Sequence, residues 1–347
     1  MKSLRYAPLL LVPAALILEY THASAALIFI ISALAIVPLA HQMGLATEEL
    51  AARTGPTFGG LMNATLGNAA ELIIGIFALR AGLIELVKAS LTGSIIGNLL
   101  LILGLSMLAG GLKHQTQRFN QQAAGMNVAL LALAAVGLVV PALFDFTHPR
   151  GPDAPLTYLS ESVAVVLLLV YLLSLLFSLK THRQLFRPEG HREEPTWTMK
   201  RAATTLVVAT ALVAWLSEVL VGATEETIVS LGVSELFLGV IVIPLVGNAA
   251  EHGAAVMMAA KNKMDLSFSI AVGSSTQIAL FVAPLMVFIS LLFGNPMDLA
   301  FTAFEVSAVA LSVGVVTVIA LDGESNWLEG AQLLAVYVIM AAAFYFY

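Results

Sequence analysis

The chain has 347 residues, 59% of them hydrophobic and 11% charged, with a mean hydropathy of +0.93. Soluble domains carry about 25% charged residues, so this composition excludes an ordinary soluble fold and implies an integral, multi-pass membrane protein made of helices. A net charge of −6 argues against a nucleic-acid partner, and the absence of cysteine excludes disulfides, thiolate metal sites and thiol nucleophiles.

Windows of about 20 apolar residues predict eleven spans, at about 6–20, 22–41, 56–79, 84–110, 122–144, 157–180, 201–221, 235–260, 265–293, 300–320 and 327–346. The first run follows Lys2 and Arg5 as a signal peptide would. Pro13, Glu19 and the second run directly behind it favour a retained helix. The longest polar interruption, Lys180 to Arg201, separates two halves. The expected architecture is all-α: a leading helix (1–21), a five-helix repeat (22–180), a cytoplasmic linker (181–200) and a second five-helix repeat (201–347). With the N-terminus in the cytoplasm, all but three of the 16 Lys and Arg residues fall inside; Arg80, Lys88 and Arg150 fall outside. The positive-inside rule therefore places the N-terminus and the linker in the cytoplasm. Compact loops point to a bacterial inner membrane.

The pentapeptide Gly67-Asn68-Ala69-Ala70-Glu71 recurs as Gly247-Asn248-Ala249-Ala250-Glu251. The same offset relates Gly59 to Gly239 and Gly93-Ser94 to Gly273-Ser274, and a slightly shorter one relates Ala46–Glu49 to Ala223–Glu226. An odd number of spans in each half makes the halves enter from opposite sides, as an inverted repeat. An ionised carboxylate at membrane depth costs about 2.5–3.5 kcal/mol on insertion scales, so two of them in matching motifs suggest one cation site built from both halves.

In each pentapeptide the amide and the carboxylate are three residues apart and share a helix face. Carboxylate plus amide oxygen is hard-oxygen chemistry that suits Ca²⁺. Gly59, Gly60, Gly67, Gly239, Gly247 and Pro244 permit helix breaks that free further carbonyls. The next span of each half adds Ser94 and Asn98, or Ser274, Ser275 and Gln277. Glu71 and Glu251 are thus expected as principal metal ligands and proton acceptors, with Asn68, Asn248, Asn98 and Gln277 as neutral donors. Ser94, Ser274 and Ser275 read either as ligands or as interhelical hydrogen-bond contacts. Glu161, Glu218 and Glu305 lack an amide partner or sit near span ends and read as interfacial or hydrogen-bonded. His252 reads as a packed neutral imidazole or a proton relay. Because the empty dianionic site is the costly state, either Ca²⁺ or protons must occupy it, which is an exchanger's logic. The amphipathic segments 44–55 and 222–234 are expected to extend gating helices. Glu48, Glu49, Glu225 and Glu226 would draw cations to the two mouths; solvated turns capping the spans are the other reading.

With these motifs the sequence resembles the cation/proton exchanger branch of the calcium/cation antiporter superfamily. The stretches Gly60–Leu66, Gly273–Pro284 and Asp322–Gly330 carry the likeness further, over essentially the whole chain. The resemblance implies one leading helix plus two inverted repeats, H⁺-driven Ca²⁺ export, and central roles for Glu71 and Glu251. Two departures stand out. The central loop offers only Glu189, Glu193 and Glu194 among its basic residues, where family members often carry a regulatory acidic stretch. Gln277 and Ile278 stand where sodium/calcium relatives carry a further acid, which favours protons over Na⁺. The alternatives are a Na⁺(K⁺)/Ca²⁺ or broader divalent exchanger and, in a different class, a cation channel. No HExxH-type helix supports a membrane metalloprotease, so no enzyme is expected. The expected partners are Ca²⁺, H⁺ and the bilayer, and homo-oligomerisation is left open.

Overall fold

The computed structural model describes residues 8–54, 56–148, 155–186 and 195–347. Lys2, Arg5, Arg150 and the linker residues Glu189, Glu193 and Glu194 lie outside the described residues. In chain order the helices are α1 (Leu11–Tyr20), α2 (Ala25–Thr54), α3 (Pro56–Leu66), α4 (Ala69–Arg80), α5 (Ile84–Gly111), α6 (Gln121–Thr147) and α7 (Pro155–Thr181). The second half holds α8 (Met199–Gly222), α9 (Thr224–Leu231), α10 (Glu235–Gly247), α11 (Ala249–Ala260), α12 (Met264–Leu292), α13 (Ala303–Ile319) and α14 (Trp327–Phe346). Among the described residues, seven helices are long and apolar enough to cross a membrane, or up to nine if each bent pair is one span. The stretch Pro8–Tyr20 and α13 are shorter apolar helices. The all-α multi-pass architecture holds, while helix length alone does not fix the expected count of eleven.

Burial sorts these helices into a centre and a rim. In the most apolar window of α5, 83% is buried, and 61% in α12, against 17% in α7 and α14. A helix apolar all round buries one stripe on its neighbours and gives the rest to lipid. The two central helices instead carry the polar runs Thr92–Asn98 and Ser274–Gln277, which protein can satisfy and hydrocarbon cannot. Small residues let the backbones meet. Gly93 packs against the Val240 carbonyl and Pro244, and Gly104 against Gly330, so a side chain at either position would meet main chain.

The predicted spans 56–79 and 235–260 are each two helices. Asn68 (φ −95°, ψ 23°) and Asn248 (φ −94°, ψ 4°) leave helical geometry at equivalent places, and the first pair bends by 43° there. Helix α2 runs on to Thr54, so residues 44–54 are a helical extension, the first of the two readings of this segment. Its counterpart forms the separate helix α9, turned by 114° from α10, with Gly232 in the left-handed region at φ 66° ending it. Both central helices widen into π-helical turns at the end of their polar runs, at Gly97–Ile102, which takes in Asn98, and at Ile278–Val282, directly after Gln277, and α10 widens likewise at Leu238–Val242. Such turns are frequent at functional sites.

Ties between the halves form two sets. At one end Lys88, almost fully buried, donates to Asp298 at 2.8 Å and to the Ala300 carbonyl at 3.0 Å. Glu305 closes a capping box with Thr302 and accepts from Thr92 at 3.2 Å, which bears out the hydrogen-bonded reading of that acid. At the other end β1 (Gln117–Arg118) pairs antiparallel with β2 (Glu324–Ser325), and Gln117 donates to the Ala259 carbonyl at 2.8 Å.

Gly93 and Gly273 hold equivalent places but different surroundings, since no atom lies within 4 Å of a Cβ built on Gly273. Gly93→Ala is therefore expected to cost about 1–3 kcal/mol by overpacking, and Gly273→Ala to be close to neutral. Thermal unfolding midpoints of the two variants in detergent check this.

Candidate cation site

Each pentapeptide spans a helix break, and that places its glutamate in the first turn of the following half-helix: Glu71 in α4 and Glu251 in α11. The free N–H groups and positive dipole end of that turn lower the cost of an anion at this depth. The glycine ahead of each asparagine leaves room for the opposite carboxyl. A methyl built on Gly247 would stand 3.1 Å from Cγ and 3.3 Å from Cδ of Glu71; one on Gly67 would stand 3.6 Å from Oε1 of Glu251. Each half thus lays its carboxylate over the other half's glycine, and the two acids are near enough to interact electrostatically.

The amides form a network across the halves. Asn68 donates from Nδ2 to Gln277 Oε1 at 2.6 Å, and Ser274 donates to Asn68 Oδ1 at 3.4 Å. Asn98 donates to Ser274 Oγ at 3.1 Å, and Asn248 donates to Ser94 Oγ at 3.1 Å and to the Pro244 carbonyl at 3.1 Å. The Ser274 hydroxyl also reaches the Glu251 carboxyl. Of the nine buried side-chain oxygens without a hydrogen-bond partner among the described residues, three lie at this crossing: Glu71 Oε2, Glu251 Oε2 and Asn248 Oδ1. All three are acceptors, so each can take a hydrogen-bond donor or a cation, and the two carboxylates can also take a proton. Two carboxylates with neutral oxygens form no cluster of three or more His, Cys, Asp or Glu, and none occurs among the described residues.

All eight predicted site residues come together here, but in different ways. Glu71, Glu251 and Asn248 keep an oxygen free. The oxygens of Asn68, Asn98 and Gln277 each accept a bond within the network, Ser94 accepts from Asn248 of the other half, and Ser274 links Asn98 and Asn68, both of the other half. His252 matters more than its sequence position suggests: its Nε2 lies 3.2 Å from Asn98 Oδ1, an acceptor, so this nitrogen is the protonated one. Of the proposed mouth acids, Glu225 and Glu226 are exposed on the first turn of α9. Glu49 accepts from Thr196 and from the backbone N–H of Trp197, so it ties α2 to the end of the linker.

Fold and composition define a multi-pass membrane transporter, and comparison with known proteins narrows the class. The family model for the sodium/calcium exchanger protein matches residues 24–180 and again 201–346. The chain is 46% identical over 355 residues to a Ca²⁺/H⁺ antiporter of Aphanothece halophytica, covering 98% of this chain and 95% of that one. It is also 46% identical over 340 residues to the Ca²⁺/H⁺ antiporter ChaA of Bacillus subtilis, with 96% of each covered. The native YfkE structure superposes with a TM-score of 0.85 at 44% identity, covering 97% of both chains. The H⁺/Ca²⁺ exchanger CAX shares the fold, with a TM-score of 0.75 at 17% identity over 99% of this chain and 92% of that one. The chain belongs to the sodium/calcium exchanger family, and the resemblance to its proton-exchanging members read from the paired motifs is borne out.

Two facing carboxyls are a burden when both are charged and nothing lies between them. In cation-free buffer at alkaline pH, Glu71→Gln should raise stability by about 1–3 kcal/mol, the cost of leaving a buried acceptor unsatisfied. The gap should close as acidification neutralises the wild-type pair. Unfolding midpoints across a pH series check it.

Proposed function

We propose that this protein exchanges Ca²⁺ for H⁺ across a bacterial inner membrane by alternating access, with its N-terminus in the cytoplasm and the segments 22–180 and 201–347 acting as the two inverted halves. The observation that carries the reading is the trio of buried, unpartnered acceptors Glu71 Oε2, Glu251 Oε2 and Asn248 Oδ1 at the crossing of the two pentapeptides. Ca²⁺ takes six to eight hard oxygens at flexible geometry, and carboxylate and amide oxygens are what this crossing supplies. The names borne by relatives 46–48% identical, all Ca²⁺/H⁺ antiporters, favour Ca²⁺ and H⁺ as the pair carried.

In this mechanism Glu71 and Glu251 bind either the metal or protons. Asn248 adds a neutral ligand oxygen. Asn68 and Asn98 join it once Ser274 and His252 release their oxygens, Gln277 holds the Asn68 amide in place, and Ser94 and Ser274 brace the pair across the halves. Metal binding displaces the protons and reprotonation expels the metal. The empty dianionic site is too costly to reorient, so the two fluxes stay coupled. Glu48, Glu49, Glu225 and Glu226 sit at the mouths, where the exposed pair on α9 attracts cations.

A difference between the halves supports alternating access over a continuous channel. On one side α5 is pressed against α10, where a Cβ built on Gly93 would overlap the Val240 carbonyl and Pro244. At the equivalent Gly273 of α12 nothing is close. On this reading the packing at Gly93 closes one route, and exchanging the two arrangements would turn the site to the other side.

The test is radiolabelled Ca²⁺ uptake into proteoliposomes under an imposed pH gradient. Uptake should saturate with Ca²⁺, collapse when the gradient is dissipated, and fall at least about 100-fold in both Glu71→Gln and Glu251→Gln, since each leaves a hard cation one charge short. Uptake that persists in either variant would overturn the site assignment.

A further inference from the structure

Where α1, α2 and α8 meet, a crevice of about 490 Å³ opens that no residue of the cation site lines. Leu39, Val208 and Leu212 form its apolar wall, and Gln42, Thr204 and Thr205 are its polar members. The volume is that of a small-ligand site. The hydroxyls are at one end of α8, and the helix start above them is basic. Lys200 lies four residues before Thr204 and Arg201 four before Thr205, so both cations stand one turn above the hydroxyls on the same face.

That basic end is held in place. Arg201 lies over the Trp197 ring, 4.2 Å from its centroid. Trp197 is pinned in turn: its N–H donates to Glu49 at 3.0 Å and its carbonyl accepts from Arg53. Glu49 also takes two bonds from Thr196, so its charge is already spent. Lys200 and Arg201 form no ion pair among the described residues. The result is an apolar slot with two hydroxyls at its polar end and two cations above them, beside an aromatic residue of the kind found at membrane interfaces.

We propose that this crevice holds an anionic glycerophospholipid, one acyl chain lying between α1, α2 and α8 and the phosphate held by Lys200, Arg201, Thr204 and Thr205. Charge complementarity selects this occupant. A neutral chain would make no use of the cations, whereas a basic pocket between helices on the cytoplasmic side suits an anionic headgroup. The proposal rests on the assignment of that leaflet and is independent of the exchange chemistry, because the cation site shares none of these residues. By filling the groove the lipid would fasten the short α1 to the long α2–α8 pair.

The experiment uses the purified full-length chain, delipidated in detergent and titrated with phosphatidylglycerol or phosphatidylcholine. Binding is read by native mass spectrometry and stability by the unfolding midpoint. Phosphatidylglycerol should be retained as a one-to-one adduct and raise the midpoint, and phosphatidylcholine should do neither. Lys200→Gln with Arg201→Gln should weaken the adduct about tenfold or more. Val208→Trp, at an exposed position that lines the slot, should block it while leaving the helical circular dichroism intact. Equal retention of the two lipids, or an adduct indifferent to both changes, would overturn the proposal. A wild-type dimer that Val208→Trp splits into monomers would overturn it as well, since a second copy would then be the occupant.

Discussion

Everything in this bundle is arranged around two carboxyl groups that face one another across a pair of helix breaks. Neither can sit charged in hydrocarbon without compensation, and the protein offers only part of it: the positive ends of α4 and α11, one hydroxyl, and the clearance made by Gly67 and Gly247. In the proposed function the rest comes from outside, as a proton or a metal ion. In that function the need for a removable partner makes this buried pair of acids the site of exchange.

The surrounding structure meets the demands of that pair. Helices α5 and α12 are the most deeply buried because they carry the polar runs that brace the asparagines, and the rim helices shield those runs from lipid. The π-helical turns follow directly after Ile96 and Gln277 and interrupt regular α-geometry beside the braces. Buried ties such as Lys88 to Asp298 and Thr92 to Glu305 hold the two halves together at one end, and the β1–β2 pair does so at the other. Gly93 and Gly239 allow the close contact between α5 and α10.

Much of this was legible in the sequence because the constraint is severe. A repeated Gly-Asn-Ala-Ala-Glu inside apolar runs has few physical explanations, and long apolar runs with so few charges leave little but a helical membrane protein. Other features were not readable from one chain. Asparagine tolerates several backbone conformations, so the sequence permitted helix breaks without locating them at Asn68 and Asn248. Gln277 read as a ligand because its type and depth suit one, whereas its pairing with Asn68 is a tertiary contact. His252 pointed away from Glu251 on its own helix, and its partner Asn98 belongs to the other half. The contrast between Gly93 and Gly273 belongs to one conformation, and equivalent residues cannot announce which of them is packed. The segments 44–55 and 222–234 carry the same four-residue echo, yet Gly232 and the turn beyond it make the second a separate helix.

The most direct measurement of whether metal and protons share the same oxygens is proton release on Ca²⁺ binding by the detergent-solubilised protein in weakly buffered solution. Competition at Glu71 and Glu251 predicts that adding Ca²⁺ expels protons, that the released amount falls as the starting pH rises, and that the double Glu→Gln variant gives no signal. Saturable Ca²⁺ binding with no accompanying proton release near neutral pH, or release that survives in the double variant, would contradict it.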